Sequence, residues 1–134
     1  MQELIEILKR NDIPSEMRKE LQIERTKLSL HEPDKYNNYF SKKISKEISS
    51  IRLNYFNREL QVYDVTKKLP FIQTPTLIIC GRYDVQCPIM YSVELEESIP
   101  NSKLVIMEKS NHYPFLEEAQ FFNREYHLFF RDLI

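Results

Sequence analysis

Glycine content is the feature that most constrains how this chain can fold: its 134 residues contain a single glycine, Gly81. Average usage of about 7% would give roughly nine glycines in this length. Gly81 follows the apolar run Thr76–Cys80 and precedes Arg82-Tyr83-Asp84. This pattern predicts a buried strand and then a tight turn that presents one carboxylate. Because α/β folds use glycines in strand-to-helix turns, we expect the glycine-rich part of such a fold to lie outside these residues.

Composition gives no reason to expect a nucleic-acid or membrane partner. The net charge is −1, with 42% hydrophobic and 29% charged residues, which is ordinary for a soluble domain or part of one. The N-terminus does not resemble a signal peptide, and no apolar run approaches the ~18 residues of a membrane span. Cys80 and Cys87 are the only cysteines, and Cys80 is interpreted as a small buried hydrophobe. A reducing cytoplasm is the expected compartment.

Residues 1–63 have the hydrophobic period of helices almost throughout. We predict four short amphipathic helices, which begin near Leu4, at Pro14 or Ser15, at Pro33 or Asp34, and near Lys43. Without a strand, this part is typical of a lid or a small bundle. Its aromatic residues could line a substrate pocket, but packing between helices is the simpler interpretation; they are Tyr36, Tyr39, Phe40, Tyr55 and Phe56.

The remainder of the chain predicts a β-α-β-α unit, so the fold class is α/β with mostly helical content. Thr76–Cys80 and Lys103–Met107 are predicted strands, and a helix that begins at Pro88 supplies the crossover that parallel strands need. Pro114 begins a terminal helix. Two strands alone leave unpaired groups at both edges. We therefore expect them to complete a larger sheet or to pair with another copy of the chain.

Both predicted strand exits carry residues suited to acid–base catalysis. Asp84 follows the first strand, and His112 follows the second within the segment Ser110–Glu118. An Asp and then a His, each just past a strand, is the order of the last two members of a Ser…Asp…His triad. The serine is missing, because a single glycine cannot form a Gly-x-Ser-x-Gly turn. The sequence thus contains two thirds of a catalytic site.

Other candidate residues have simpler interpretations. Glu117 and Glu118 stand at a helix start, where carboxylates complement the positive end of the helix dipole. Cys87 is not a credible nucleophile, because no base is predicted beside it. His31 and His127 are expected at surface or satisfied positions. No Cys/His/Asp spacing suggests a metal site.

The motifs Pro75–Asp84 and Ser110–Glu118, with Pro100–Val105, resemble the C-terminal half of the α/β-hydrolase fold family, nearest to its proline-iminopeptidase-like branch. The resemblance implies that residues 1–63 are the helical cap, or lid, inserted before the last two strands. Residues 64–134 would then be the C-terminal β-α-β-α part of the hydrolase core.

In that resemblance, Asp84 is the triad acid and His112 the triad base, with no cofactor and no metal. The family often has glycine directly before the histidine. This chain has Asn111 there, and asparagine tolerates left-handed backbone better than most residues.

The implied activity is hydrolysis of small-molecule esters, amides or peptides by a Ser-Asp-His triad. With only Asp84 and His112, this chain is expected to be inactive alone. Its partner would be a missing N-terminal hydrolase half or a second copy in a homodimer, with no nucleic acid and no membrane. One alternative is a non-enzymatic dimeric binding or interaction module derived from a hydrolase. A weaker one is a relative of haloalkane dehalogenases, whose nucleophile would also lie in the missing half.

Overall fold

A computed structural model describes residues 1–36, 50–59 and 63–133 of the chain. The chain divides into two compact units, of which the first is Met1–Leu28 with Glu32–Asp64 and the second is Ser29–His31 with Val65–Ile134. Among the described residues, no helix combines the length and the apolar character that crossing a bilayer requires.

Helices form the described part of the first unit. They are α1 (Gln2–Leu8), α2 (Ser15–Lys27), a short 3-10 helix (Pro33–Tyr36) and α3 (Ser50–Glu59). The starts of the first two were predicted at these positions, and α2 ends at Lys27. Most of the third predicted helix and the start of the fourth fall on residues 37–49, outside the described residues.

Hydrogen bonds to backbone carbonyls, rather than a large core, connect the end of α1 to α2 and α3. Leu8 is fully buried, whereas no residue of α2 is buried. The Arg18 guanidinium donates to the carbonyl oxygens of Leu8 (2.8 Å) and Arg10 (2.6 Å). Asn54 of α3 donates to the Lys9 carbonyl at 3.2 Å. These donors satisfy carbonyls that a helix end leaves unpaired.

A two-stranded parallel sheet forms the centre of the second unit, as predicted. The elements in order are a 3-10 helix (Thr66–Phe71), β1 (Thr76–Gly81), α4 (Ile89–Ser98), β2 (Ser102–Met107), α5 (Pro114–Glu117) and α6 (Ala119–Arg131). The register runs from Thr76 opposite Ser102 to Gly81 opposite Met107. With this register, both strands end level with each other, so the loops that follow them lie at the same edge of the sheet.

Each strand buries apolar residues at one set of alternate positions, and the register places the two sets on opposite faces of the sheet. Ile78 and Cys80 of β1, and Val105 and Met107 of β2, are all buried. The spacing of two residues is the strand period, because successive side chains point to opposite faces. Cys80 is therefore a small hydrophobe of the core, with a free thiol.

The terminal helix differs from its prediction, because it is two helices rather than one. The chain turns at Glu118, whose φ of −124° and ψ of 47° are not helical. The Glu118 carboxylate reaches back to accept the backbone N–H of Lys109 (2.9 Å) and the hydroxyl of Ser110 (2.6 Å). These bonds explain why the helix from Pro114 stops before Glu118 and restarts at Ala119.

Candidate active site

Asp84 and His112, the two residues singled out in the sequence, lie side by side at the exits of β1 and β2. His112 Nδ1 is 2.9 Å from Asp84 Oδ2 and 3.2 Å from Asp84 Oδ1. Because a carboxylate can only accept, this geometry assigns the proton to Nδ1 and leaves Nε2 as the basic nitrogen of the neutral ring. The Asp84 side chain is 8% exposed and that of His112 is 32% exposed.

The loop after β1 holds the Asp84 carboxylate in one orientation. Asp84 Oδ1 accepts the backbone N–H groups of Gln86 and Cys87, each at 2.8 Å. An aspartate that bonds the backbone two and three residues ahead is a common way to close a turn. Two backbone donors and one imidazole N–H thus converge on a single carboxylate.

The loop after β2 is fixed by Glu117 and Glu118, the two carboxylates whose place at a helix start favours a role in complementing the helix dipole. Glu118 accepts from Lys109 and Ser110, as described above, and Glu117 Oε2 accepts the N–H of Asn111 at 2.8 Å. Ser110 and Asn111 are buried, so these bonds satisfy polar groups that water cannot reach. Nothing local in the sequence marks the acids as anchors of a loop six to nine residues upstream.

Ser29 joins the two loops, a role that no pattern in the sequence predicted. Its carbonyl oxygen accepts the His112 N–H at 3.0 Å, and its hydroxyl accepts from the Gln86 side-chain amide at 2.8 Å. Ser29 is fully buried. The adjacent His31 donates its N–H to Glu117 Oε1 at 2.5 Å. A segment of three residues, remote in sequence, therefore supports both the acid and the base.

Gly81 is required by close approach of the two loops rather than by its backbone angles, since its φ is not positive. A Cβ added there would clash with the carbonyl oxygen of Asn111 and would lie 2.5 Å from that of Ser110. Asn111 likewise has no positive φ, so the left-handed turn considered for it does not occur. Its side-chain oxygen instead accepts the Val85 N–H at 3.1 Å and ties the loops together.

Charged groups around the strand exits are paired. Arg82 and Glu108 form a two-bond pair of 2.9 and 2.6 Å between the two exits. The Arg82 hydrogen bonds lower the pKa of the Glu108 carboxyl below its ordinary value.

Partial burial, and then the negative charge of Asp84, raise the pKa of the Cys87 thiol. Cys87 is thus poorly suited to act as a nucleophile, although a base does lie near it.

Cys87 completes a cluster that residue spacing did not reveal. One ligand atom each from Asp84, Cys87 and His112 lies within 4.8 Å of the other two. Asp84 and Cys87 share one turn, and the register of the strands brings the His112 loop to them. The three atoms, an oxygen, a sulfur and a nitrogen, are all common metal ligands.

The other candidate residues lie elsewhere. His31 is exposed and stacks on Tyr83, with ring centroids 4.4 Å apart. His127 is exposed on α6. Of the aromatic residues considered for a pocket, Tyr39 and Phe40 are outside the described residues.

Curated relatives of the chain include RutD of Pseudomonas savastanoi pv. phaseolicola, which is 45% identical over 53 residues, or 40% of this chain and 20% of RutD. The AB hydrolase superfamily protein YisY of Bacillus subtilis is 33% identical over 96 residues, covering 63% of this chain and 36% of YisY. A proline iminopeptidase of Heyndrickxia coagulans is 39% identical over 62 residues, covering 46% of this chain and 21% of that enzyme. The chain thus spans roughly a fifth to a third of these relatives' length. No family model matches it.

Among solved structures, an alpha/beta fold family hydrolase of Bacillus anthracis str. Sterne superimposes with a TM-score of 0.82 at 36% identity. The match covers 99% of this chain and 47% of the hydrolase. The relatives and structural neighbours of this chain are therefore α/β-hydrolase fold proteins, and the chain corresponds to a C-terminal portion of that fold.

Proposed function

We propose that this chain is the C-terminal part of a hydrolase of small esters or amides, and that it supplies the acid and the base of a Ser-His-Asp triad. The observation that carries the proposal is the 2.9 Å bond between His112 Nδ1 and Asp84 Oδ2. In this proposal the serine nucleophile and the backbone donors of the oxyanion hole come from residues outside this sequence. Residues 1–63 act as the cap over the substrate.

The proposed reaction uses each polar atom of the pair in turn. A serine hydroxyl is a weak nucleophile at neutral pH, so His112 Nε2 takes its proton as the oxygen attacks the substrate carbonyl. Asp84 holds the ring in the required tautomer and stabilises the imidazolium that forms. His112 then returns the proton to the leaving alcohol or amine, and the acyl group stays on the serine. Water activated by the same nitrogen releases the acid and restores the serine.

The roles of the two residues are supported by how they are held. Asp84 is nearly buried and bonded by two backbone N–H groups, which orient its carboxylate toward the imidazole. His112 is bonded through its own N–H to Ser29, and one third of its side chain is exposed, which leaves the ring accessible to a substrate. An enzyme gains rate when catalytic groups are fixed before the substrate arrives.

The test compares this chain alone with the chain joined to an N-terminal half that carries a Gly-x-Ser-x-Gly segment. A serine-directed fluorophosphonate probe is expected to leave the chain alone unlabelled and to label the joined protein. In the joined protein, Asp84→Asn is expected to lower ester hydrolysis by about 10⁴-fold, and His112→Ala by at least as much. His127→Ala, which removes an exposed histidine of α6, is the matched control and should retain the rate. Full hydrolysis by either site variant would overturn the assigned roles.

A dimeric binding module derived from a hydrolase is the second proposal. It is supported by large apolar side chains exposed on the second unit, among them Phe71 (79% exposed), Met90 (65%) and Tyr91 (58%). Sedimentation equilibrium of the chain alone separates the two proposals. A stable dimer that gains no activity from an added N-terminal half favours the module, whereas a monomer that binds such a half favours the hydrolase.

A reducing compartment, the cytoplasm, is part of the first proposal and is supported by the free thiols of Cys80 and Cys87. Cell fractionation with an antibody to the chain tests it. Recovery with secreted or envelope proteins would contradict it.

A further inference from the structure

The cluster of Asp84, Cys87 and His112 has a second chemical use besides acid–base catalysis. We propose that these three residues form a binding site for a thiophilic divalent cation, of which Zn²⁺ is the best match. The kinds of ligand atoms, their distances and the way the loops hold them all support this site.

The ligand set favours zinc over the common hard cations. Zn²⁺ binds thiolate sulfur, imidazole nitrogen and carboxylate oxygen, and sites with three protein ligands keep a fourth position for water. Mg²⁺ and Ca²⁺ take oxygen ligands almost exclusively, and Asp84 is the only oxygen ligand in this cluster. A bound Zn²⁺ deprotonates a coordinating thiol outright, so the ordinary thiol form of Cys87 is no obstacle.

Only a small movement would bring the three atoms to binding distances. The ligand atoms lie within 4.8 Å of one another, whereas those around a tetrahedral Zn²⁺ are roughly 3.3 to 3.8 Å apart. The longest of these separations would have to shrink by about 1.0 to 1.5 Å, which side-chain movement can supply. Cys87 is an exposed residue with a free thiol. Its sulfur can therefore turn toward the Asp84 and His112 ligand atoms, and a cation can reach it.

The backbone around the cluster is already fixed, which lowers the ordering cost of binding. The Cys87 N–H is bonded to Asp84 Oδ1, so two of the ligands belong to one closed turn. The third is bonded through its N–H to the carbonyl of buried Ser29. A divalent ion therefore needs to organise three side chains and no loop.

One consequence rests on the proposed function. Because Asp84 and His112 would serve both as triad members and as ligands, bound Zn²⁺ and hydrolysis would exclude each other in the joined protein. The binding experiment below uses the chain alone and reads no activity, so its failure would leave the hydrolase proposal standing.

The experiment titrates the chain, first freed of metal with a chelator, with Co²⁺ alone. We expect a thiolate-to-cobalt absorption band that saturates at one equivalent and disappears when one equivalent of Zn²⁺ is added. Cys87→Ser should abolish the band, and His112→Ala should weaken Co²⁺ binding by at least about tenfold, since even supporting residues of metal sites contribute that much. Cys80→Ala and His127→Ala are the matched controls, which should retain the band.

Circular dichroism of each variant keeps the test interpretable. If Cys87→Ser does not fold, Asp84→Asn takes its place and is expected to weaken Co²⁺ binding by at least about tenfold. A wild-type chain that gives no thiolate band would overturn the proposal. So would a band that survives in Cys87→Ser, or Co²⁺ binding that is unchanged in His112→Ala.

Discussion

The polar contacts within the first unit differ from those around the candidate site in the second unit. Several ion pairs in the first unit join residues three apart in the sequence, mostly at exposed positions; they are Glu6–Lys9, Glu16–Lys19, Glu24–Lys27 and Glu32–Lys35. In the second unit, the polar contacts around the candidate site join residues far apart in sequence, such as Asp84 with His112 and Ser29 with Gln86. Exposed pairs between near neighbours contribute little to stability. Breaking a buried long-range hydrogen bond costs much more, because the remaining group has neither its protein partner nor water to bond. The second unit should therefore be much more sensitive to single substitutions.

Gly81→Ala should lower the stability of the second unit more than any other substitution considered. The added Cβ would clash with two backbone carbonyls, which cannot move without displacing the loop that carries His112. We expect the free energy of unfolding, measured in urea, to fall by about 3 kcal/mol or more, at the upper end for overpacking. Glu97→Ala, on the exposed side of α4, is the control in the same unit. A loss below about 1 kcal/mol would show that the two loops are not in close contact.

Glu118→Ala should have the next largest effect. It leaves the Ser110 hydroxyl and the Lys109 N–H without their acceptor, and Ser110 is fully buried. The expected loss is about 2 kcal/mol. Glu118→Gln keeps one side-chain oxygen as an acceptor and should recover most of it. Equal losses in the two variants would mean that the negative charge, rather than the acceptor, matters.

Arg18→Met tests a polar contact of the first unit that joins α2 to the end of α1. Methionine replaces the aliphatic part of the arginine side chain but has no donors for the Leu8 and Arg10 carbonyls. We expect a loss of about 1 kcal/mol, together with a decrease in helical circular dichroism, because the end of α1 loses its cap. Lys19→Met, one position along the same helix, is the control. An unchanged spectrum would mean that water replaces the guanidinium without cost.

Glu16→Gln should have the smallest effect. It removes the exposed pair with Lys19, whose atoms are 2.9 Å apart and whose side chains are 82% and 64% exposed. The expected change is below about 0.5 kcal/mol and should vanish in 1 M salt. A larger effect would contradict the contrast between the units, because it would give an exposed near-neighbour pair the weight of a buried contact.

Local pattern was enough to predict the strands and the position of the site. The apolar run before Gly81 specifies β1, and the rule that parallel strands end at one edge brings Asp84 and His112 together. Local pattern was not enough for the break at Glu118 or for the role of Ser29. Both depend on hydrogen bonds to residues remote in sequence, which leave no periodic signal. The strand-exit rule pairs Asp84 with His112 but gives no distance for the Cys87 side chain, so the cluster of three residues was not predicted.

The membership of Ser29–His31 in the second unit has a practical consequence for anyone who shortens the chain. A version that starts at residue 64 would keep both strands and both members of the candidate pair. It would nevertheless lose the carbonyl that accepts the His112 N–H and the hydroxyl that accepts from Gln86. A minimal piece that preserves the imidazole in its orientation has to begin upstream of Ser29, and so has to carry part of the helical segment with it.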